Sequence, residues 1–213
     1  MIRVVLATSV TPRASVGMRQ YASALHERLP RVAPDLAVIA VDAPLAALPF
    51  ALQAAHPQLV HLPYLENPPL IPRPYTAMVH DLIHLRFPEF FGRGTALYWR
   101  FVAAPIYRGA ARVLVSDPRV ADDCVNLLGI PRARIRVVPL GYDDAILEAE
   151  PCRTELPYLF YAGNHRPHKG LDTLYAAWRD LPQELAVDLV LTGPDEPQVR
   201  ARFRRARGAI SFV

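Results

Sequence analysis

The stretch that decides the fold is YLFYAGNHRPHKGLDTLYAAW, residues 158–178. It opens with Tyr158–Tyr161, an apolar run of strand length. Gly163 follows at the strand end, and then a short polar loop carries Arg166, His168 and Lys169. Beyond it, Leu171, Leu174, Tyr175, Trp178 and Leu181 recur at helical spacing and give a helix one buried face. A strand–loop–helix unit of this kind suits a phosphate. The helix start offers unpaired N–H groups, and cations fixed in the loop add charge-assisted bonds. The arrangement favours a diphosphate. Neither G-x-x-x-x-G-K-[ST] nor G-x-G-x-x-G occurs in the chain, so it is not one of the common nucleotide loops.

Working outward, short apolar runs alternate with helical patterns along the whole chain. Strands are predicted at Arg3–Ala7, Leu36–Val41, Leu59–Leu62, Tyr75–His80, Arg112–Ser116, Ile135–Val138, Tyr158–Tyr161, Val187–Leu191 and Ala209–Val213. Between them, Tyr21, Leu25 and Leu29 mark one helix face, and Val120, Cys124, Leu127 and Leu128 mark another. This alternation predicts parallel sheets with helices on both faces. In such sheets ligands bind beyond the carboxyl ends of the strands. Gly141–Pro157 changes character: it is acidic, holds Pro151 and Pro157, and reads as a linker. We therefore expect a domain over residues 1–150 and a second, smaller piece over residues 151–213.

Composition narrows the class. Of 213 residues, 52% are apolar and 21% charged, which supplies a real core. The net charge of +4 permits an anionic ligand or membrane surface without demanding either. Cys124 and Cys152 are too far apart for a metal motif, so a reducing cytosol without a disulfide framework is expected. No apolar run reaches the roughly 18 residues of a membrane span, and MIRVVLATSV reads as a first strand rather than a leader. No metal cluster is predicted: His165 and His168 lack thiol or carboxylate neighbours in a ligand pattern. Ser116 is not embedded in G-x-S-x-G, which argues against a serine hydrolase.

Further segments complete a recognisable order. They are VGMRQYASAL at 16–25, AMVHDLIHLRFPEFF at 77–91, VLVSDPRVADDCVNLLGIPRARIRVVPLGYD at 113–143, YAGNHRPHKGLDTLYAAW at 161–178 and LVLTGP at 189–194. In that sequence they resemble the first glycine loop and helix, the V-H-D-L stretch, the serine-bearing strand with its G-[VI]-P turn, and the opening of the donor domain of retaining glycosyltransferases of family four. That is the glycogen-synthase-like branch of the GT-B fold. The resemblance implies an α/β chain with a complete N-terminal Rossmann-like domain on the acceptor side. It implies the first part of a second Rossmann-like domain, which binds the nucleotide sugar. The family's E-x7-E segment is not matched within these 213 residues. A chain incomplete for catalysis is therefore expected, with a complementary C-terminal half as partner.

The same resemblance implies the chemistry. A hexose, mannose or similar, would pass from a nucleoside diphosphate sugar to a hydroxyl of a glycan or polysaccharide with retention, and with no metal or other cofactor. Arg166 and Lys169 would hold the donor diphosphate and stabilise charge on the leaving group. Asn164 is an alternative counterpart of the family's arginine, and Gly163 belongs to the same donor loop. His80, directly after a strand, would orient the donor sugar. Gly17 and Asp81 would line the acceptor loop, with Asp81 also suited to fixing the turn after His80. Against these stand plainer readings: a solvated basic loop, a histidine satisfied inside a turn, a simple turn glycine, and Tyr21 and His84 as structural residues.

Two arginine-rich segments remain. Phe90–Tyr107 reads first as a core helix interrupted near Pro105, with a lipid-linked acceptor surface or stacked single-stranded nucleic acid as alternatives. Gln198–Arg207, with five arginines, reads as a solvated helix face. The expected partners are thus a nucleotide sugar and a glycan acceptor, with no nucleic acid. The expected location is the cytoplasm, with peripheral contact at the inner membrane face allowed. A non-catalytic sugar-binding module or pseudoenzyme subunit is the alternative. A sugar-nucleotide epimerase shares the fold, but the V-H-D stretch and P-H-K loop fit a transferase better.

Overall fold

Among the described residues, nine strands form where the apolar runs predict them. The computed structural model describes residues 1–8, 16–64, 70–91, 93–143, 145–150, 157–163, 165, 169–182, 184–185, 187–193 and 209–212. The chain divides into two units, Met1–Gly141 and Tyr142–Val213.

The first unit runs β1 (Ile2–Ala7), α1 (Val16–Val32), β2 (Leu36–Val41), α2 (Leu48–Ala54), β3 (Leu59–Leu62) and β4 (Tyr75–Val79). It continues with α3 (Ile83–Arg86), α4 (Arg93–Tyr98), a π turn (Trp99–Ala103), α5 (Ala104–Gly109), β5 (Arg112–Val115), α6 (Pro118–Leu128) and β6 (Ile135–Val137). The six strands are all parallel, in the order β2-β1-β3-β4-β5-β6. The chain leaves β1 towards β2 and then returns to the other side of β1 with β3. That reversal is a topological switch point, and crevices open beyond the carboxyl ends of the strands there. Val4 to Ala7 are all buried, as a strand covered on both faces must be. The core on one face joins Val5, Val60, Leu62, Ala77, Val113 and Val115 to Leu48 and Leu52 of α2 and to Cys124 and Leu128 of α6.

The interruption expected near Pro105 is a π turn. Proline lacks an N–H, and its ring crowds the carbonyl four residues earlier, here Phe101. The chain absorbs this one residue upstream: the Ala104 N–H donates to the Trp99 carbonyl, a five-residue step. Trp99 and Tyr107 are thereby buried and stacked, with ring centroids 6.1 Å apart and planes 18° from parallel. Phe101 stays exposed.

Helix α6 is capped at both ends. Asp117 accepts from the Arg119 N–H at 2.8 Å, and Pro118 sits in the first turn. Gly129 closes the helix at φ +65°, with the Ile130 N–H reaching back to the Cys124 carbonyl. Burial of Ala121, Cys124 and Leu128 defines the inner stripe, so Leu127, predicted on that face, lies at its flank and is 41% exposed. Burial, and then Asp123, push the Cys124 thiol up to about 12. It is packing, not chemistry.

The second unit holds α7 (Ala145–Glu148), β7 (Tyr158–Tyr161), α8 (Leu171–Arg179), β8 (Asp188–Leu191) and β9 (Ile210–Phe212). Its three strands are parallel in the order β7-β8-β9. Leu171 and Trp178 of α8 pack on Leu189 and Leu191 of β8, with Tyr161, Leu174, Tyr175, Leu181 and Ile210 around them. The helix face read from the sequence is the buried one. Gln198–Arg207 lies outside the described residues.

Candidate functional site

In the second unit the loop after β7 is fastened to the loop after β8. The Gly163 N–H donates to the Thr192 hydroxyl at 2.8 Å, and that hydroxyl donates back to the Gly163 carbonyl at 3.1 Å. The Thr192 N–H donates to the Tyr161 carbonyl, extending the β7–β8 ladder by one step. A His165 ring nitrogen, Nε2, lies 3.0 Å from the Thr192 carbonyl, which only accepts, so Nε2 carries the proton. Gly193 turns at φ +109°, and a Cβ there would stand 3.3 Å from the same His165 nitrogen. The first turn after β7 is therefore fixed before the cationic residues begin.

The loop ends at α8. Gly170 takes φ +70°, which reverses the chain into the helix at a position open to glycine. The residue before α8, Gly170, has no side chain with which to cap the helix. Lys169 is exposed immediately before this start. Gly163 and Lys169 thus bracket the loop. Asn164, Arg166 and His168 lie outside the described residues. Thr192 and His165, which do the fastening, were not singled out as ligand-loop supports. The only sequence signal for them was the threonine of LTGP following an apolar strand.

In the first unit His80 stands just beyond β4. Its Nε2 is 2.9 Å from the Pro63 carbonyl at the end of β3 and so donates to it. A neutral ring then keeps only Nδ1, an acceptor, for a ligand. The edge of His80 meets Tyr21 of α1, with centroids 5.1 Å apart and an interplanar angle of 88°. Tyr21 was read as core. It is half-buried, and desolvation raises its phenol above the usual value, so it stays protonated. Asp81 accepts from the Ile83 N–H at 3.2 Å and holds the entry to α3. His84 packs against Phe91 at 4.3 Å and Trp99 at 6.0 Å. Gly17 lies in the first turn of α1, where a Cβ would meet nothing within 4 Å.

Behind His80 lies a second histidine that the motif reading passed over. His61, the third residue of β3, is 6% exposed. Its Nδ1 is 2.8 Å from the Thr76 hydroxyl, and its Nε2 has no hydrogen-bond partner among the described residues. Burial, and then the nearby His80, hold its pKa down at about 4 from the usual 6.5. It is therefore neutral at physiological pH. No group of three His, Cys, Asp or Glu placed to hold a metal occurs among the described residues.

Comparison with known proteins fixes the family. The Glycosyltransferase Family 4 model matches residues 3–146. The chain belongs to that family. Glycosyl transfer is the general activity of this family domain. Among solved structures, 23 chains match. One is the S. aureus MnaA–UDP co-structure, with 12% identity, a TM-score of 0.60, and coverage of 99% of this chain and 68% of that one. At that identity the likeness shows the fold alone, a GT-B-type arrangement of parallel α/β units, which agrees with the family assignment. No curated protein matches in sequence. No helix of this family member is long and apolar enough, among the described residues, to cross a membrane.

Proposed function

We propose that the loop after β7 holds the diphosphate of a nucleoside diphosphate sugar, and that the reaction served is retaining transfer of a hexose, mannose-like, to a glycan hydroxyl. The observation that carries this reading is the fastening of Gly163 and His165 to Thr192 after β7, with exposed Lys169 immediately before the start of α8. The bond from the sugar's anomeric carbon to the terminal phosphate oxygen breaks, and its electrons pass to the phosphate. Lys169 and the first N–H groups of α8 stabilise that growing charge. The acceptor oxygen bonds to the anomeric carbon on the face the phosphate leaves, and its proton goes to the departing phosphate oxygen. Arg166 is assigned to the same diphosphate on the family pattern. The first unit is assigned to the acceptor, with Gly17 and Asp81 at its loops. His80 is assigned to orient the sugar through Nδ1, because Nε2 is committed to the Pro63 carbonyl.

Lys169→Ala is expected to weaken nucleotide binding about tenfold, the low end for a charge-assisted bond at an exposed site. The measurement is a calorimetric titration with UDP, the nucleotide present in the MnaA structure of like fold, and with GDP and ADP in parallel. Unchanged affinity removes Lys169 from the site. His80→Ala is expected to leave nucleotide affinity unaltered and to lower transfer about a hundredfold, as loss of positioning does. Transfer is read in the full-length protein by release of nucleoside diphosphate. A parallel fall in nucleotide affinity would place His80 at the nucleotide instead.

A further inference from the structure

The opposite edge of the first sheet carries a pocket that the proposed reaction does not use. It lies at the amino-terminal ends of β4 and β5 and just before β6, whereas the assigned residues lie at the carboxyl ends. Its volume is about 460 Å³, within the range of small-molecule sites. Arg73 and Arg134 supply its charge, and Pro74, Tyr75, Ala110 and Ala111 its apolar walls. Among the described residues, no carboxylate lines it and neither arginine is ion-paired.

Both arginines are placed by the fold. The Arg134 guanidinium donates to the Arg108 carbonyl at 2.9 Å, near the end of α5. Arg73 lies across Gly109: a Cβ there would stand 3.2 Å from Nη2 of Arg73 and 2.4 Å from the Tyr75 hydroxyl. That hydroxyl is itself fixed, donating to the Ile106 carbonyl at 2.7 Å. The Ala111 N–H donates to the Tyr75 carbonyl at 2.8 Å and ties the two apolar walls together. Glycine at 109 leaves room for the Tyr75 hydroxyl and, next to it, for the guanidinium.

We propose that this pocket binds the phosphoryl dianion of a small phosphate monoester, with its organic part against Tyr75 and Pro74. Two guanidinium groups without counter-ions balance two negative charges, where a carboxylate would balance one. The apolar walls distinguish an organic phosphate from the free ion. The site is independent of the diphosphate loop in the second unit.

The full chain is titrated with inorganic phosphate and with phenyl phosphate at constant ionic strength, by calorimetry and by phosphorus NMR line width. Saturable binding at one site per chain is expected, weakened about tenfold or more by Arg73→Gln and by Arg134→Gln, and unaltered by Lys169→Ala. Both arginines are exposed, so these variants keep the fold, which circular dichroism verifies. Gly109→Ala, whose methyl group meets the Tyr75 hydroxyl first and the Arg73 side chain second, is expected to weaken binding in the same direction. Tighter binding of phenyl phosphate assigns an organic ligand. Equal affinities overturn that part of the proposal and leave a site for the free ion. Absence of saturable binding, or binding that survives both glutamine variants, overturns the proposal altogether.

Discussion

Trp178→Ala is expected to unfold the second unit while the first stays native. Trp178 is 1% exposed and, among the described residues, is the largest side chain of a core it forms with Leu171, Leu189 and Leu191. Its indole N–H donates to the Val187 carbonyl at 3.2 Å, just before β8. Truncation removes apolar contact and leaves a cavity, at about 3–5 kcal/mol for a tryptophan in a core. The stranded Val187 carbonyl adds about 1 kcal/mol more. A three-stranded unit of this size has little stability in reserve. The first unit has a core of its own, built from β1, β3, β4, β5, α2 and α6. Hydrogen exchange should therefore show protection lost across β7, α8 and β8 and kept in β1 to β6. Nucleotide binding at the loop that α8 anchors should vanish with it. Trp178→Phe keeps most of the packing, loses the N–H, and should cost about 1 kcal/mol. Loss of protection in both sheets together, or a destabilisation below about 1 kcal/mol for the alanine variant, contradicts this account of the core.

How far the sequence could be read follows from which physical signal each feature leaves in it. Strands of a parallel sheet appear as continuous apolar runs, here even at the sheet edges, where β2 and β7 hold no buried residue. Leu36–Val41, Leu59–Leu62 and Tyr158–Tyr161 were read with the bounds the structure has. The run Tyr75–His80 overshoots by one residue. β4 ends where its pairing with β5 ends, at Val79 opposite Val115, and apolar character does not encode that limit. Leu127 was misplaced for a related reason. It flanks the stripe set by Ala121, Cys124 and Leu128, and a periodic pattern does not separate the flank from the centre. The π turn before Pro105 was legible as a break but not as a kind of break. Least legible were the pairings between distant residues: Tyr21 with His80, His61 with Thr76, and Gly163 with Thr192. None leaves a local pattern. His80, Gly163 and Lys169 were found because they follow strands or precede a helix, and Thr192 and His61 were passed over because nothing in their own segments marks their partners.

The acid limb of stability should belong to His61. In the folded chain its pKa is about 4, against the usual 6.5 expected once the chain unfolds. Between those values the unfolded chain takes up a proton that the folded chain refuses. Stability is therefore full above pH 6.5 and falls as the pH drops towards 4. Each unit of difference is worth about 1.4 kcal/mol, so the whole loss is about 3 kcal/mol, with about 2 kcal/mol gone by pH 5. Burial is the larger cause and the charge on His80 the smaller. His61→Gln keeps a polar group opposite Thr76 and removes the titration. Urea unfolding at pH 7.5 and at pH 5 should then show a loss of about 2 kcal/mol in the parent chain and little in this variant. His80→Gln tests the smaller cause: without that ring, His61 protonates more readily and the loss shrinks while remaining present. Equal acid sensitivity in the parent and in His61→Gln would mean that another group carries it. A charge forced onto His61 below pH 5 arises close to His80, the residue assigned to the sugar. Transfer should fall over the same pH range as stability, and less steeply in His61→Gln.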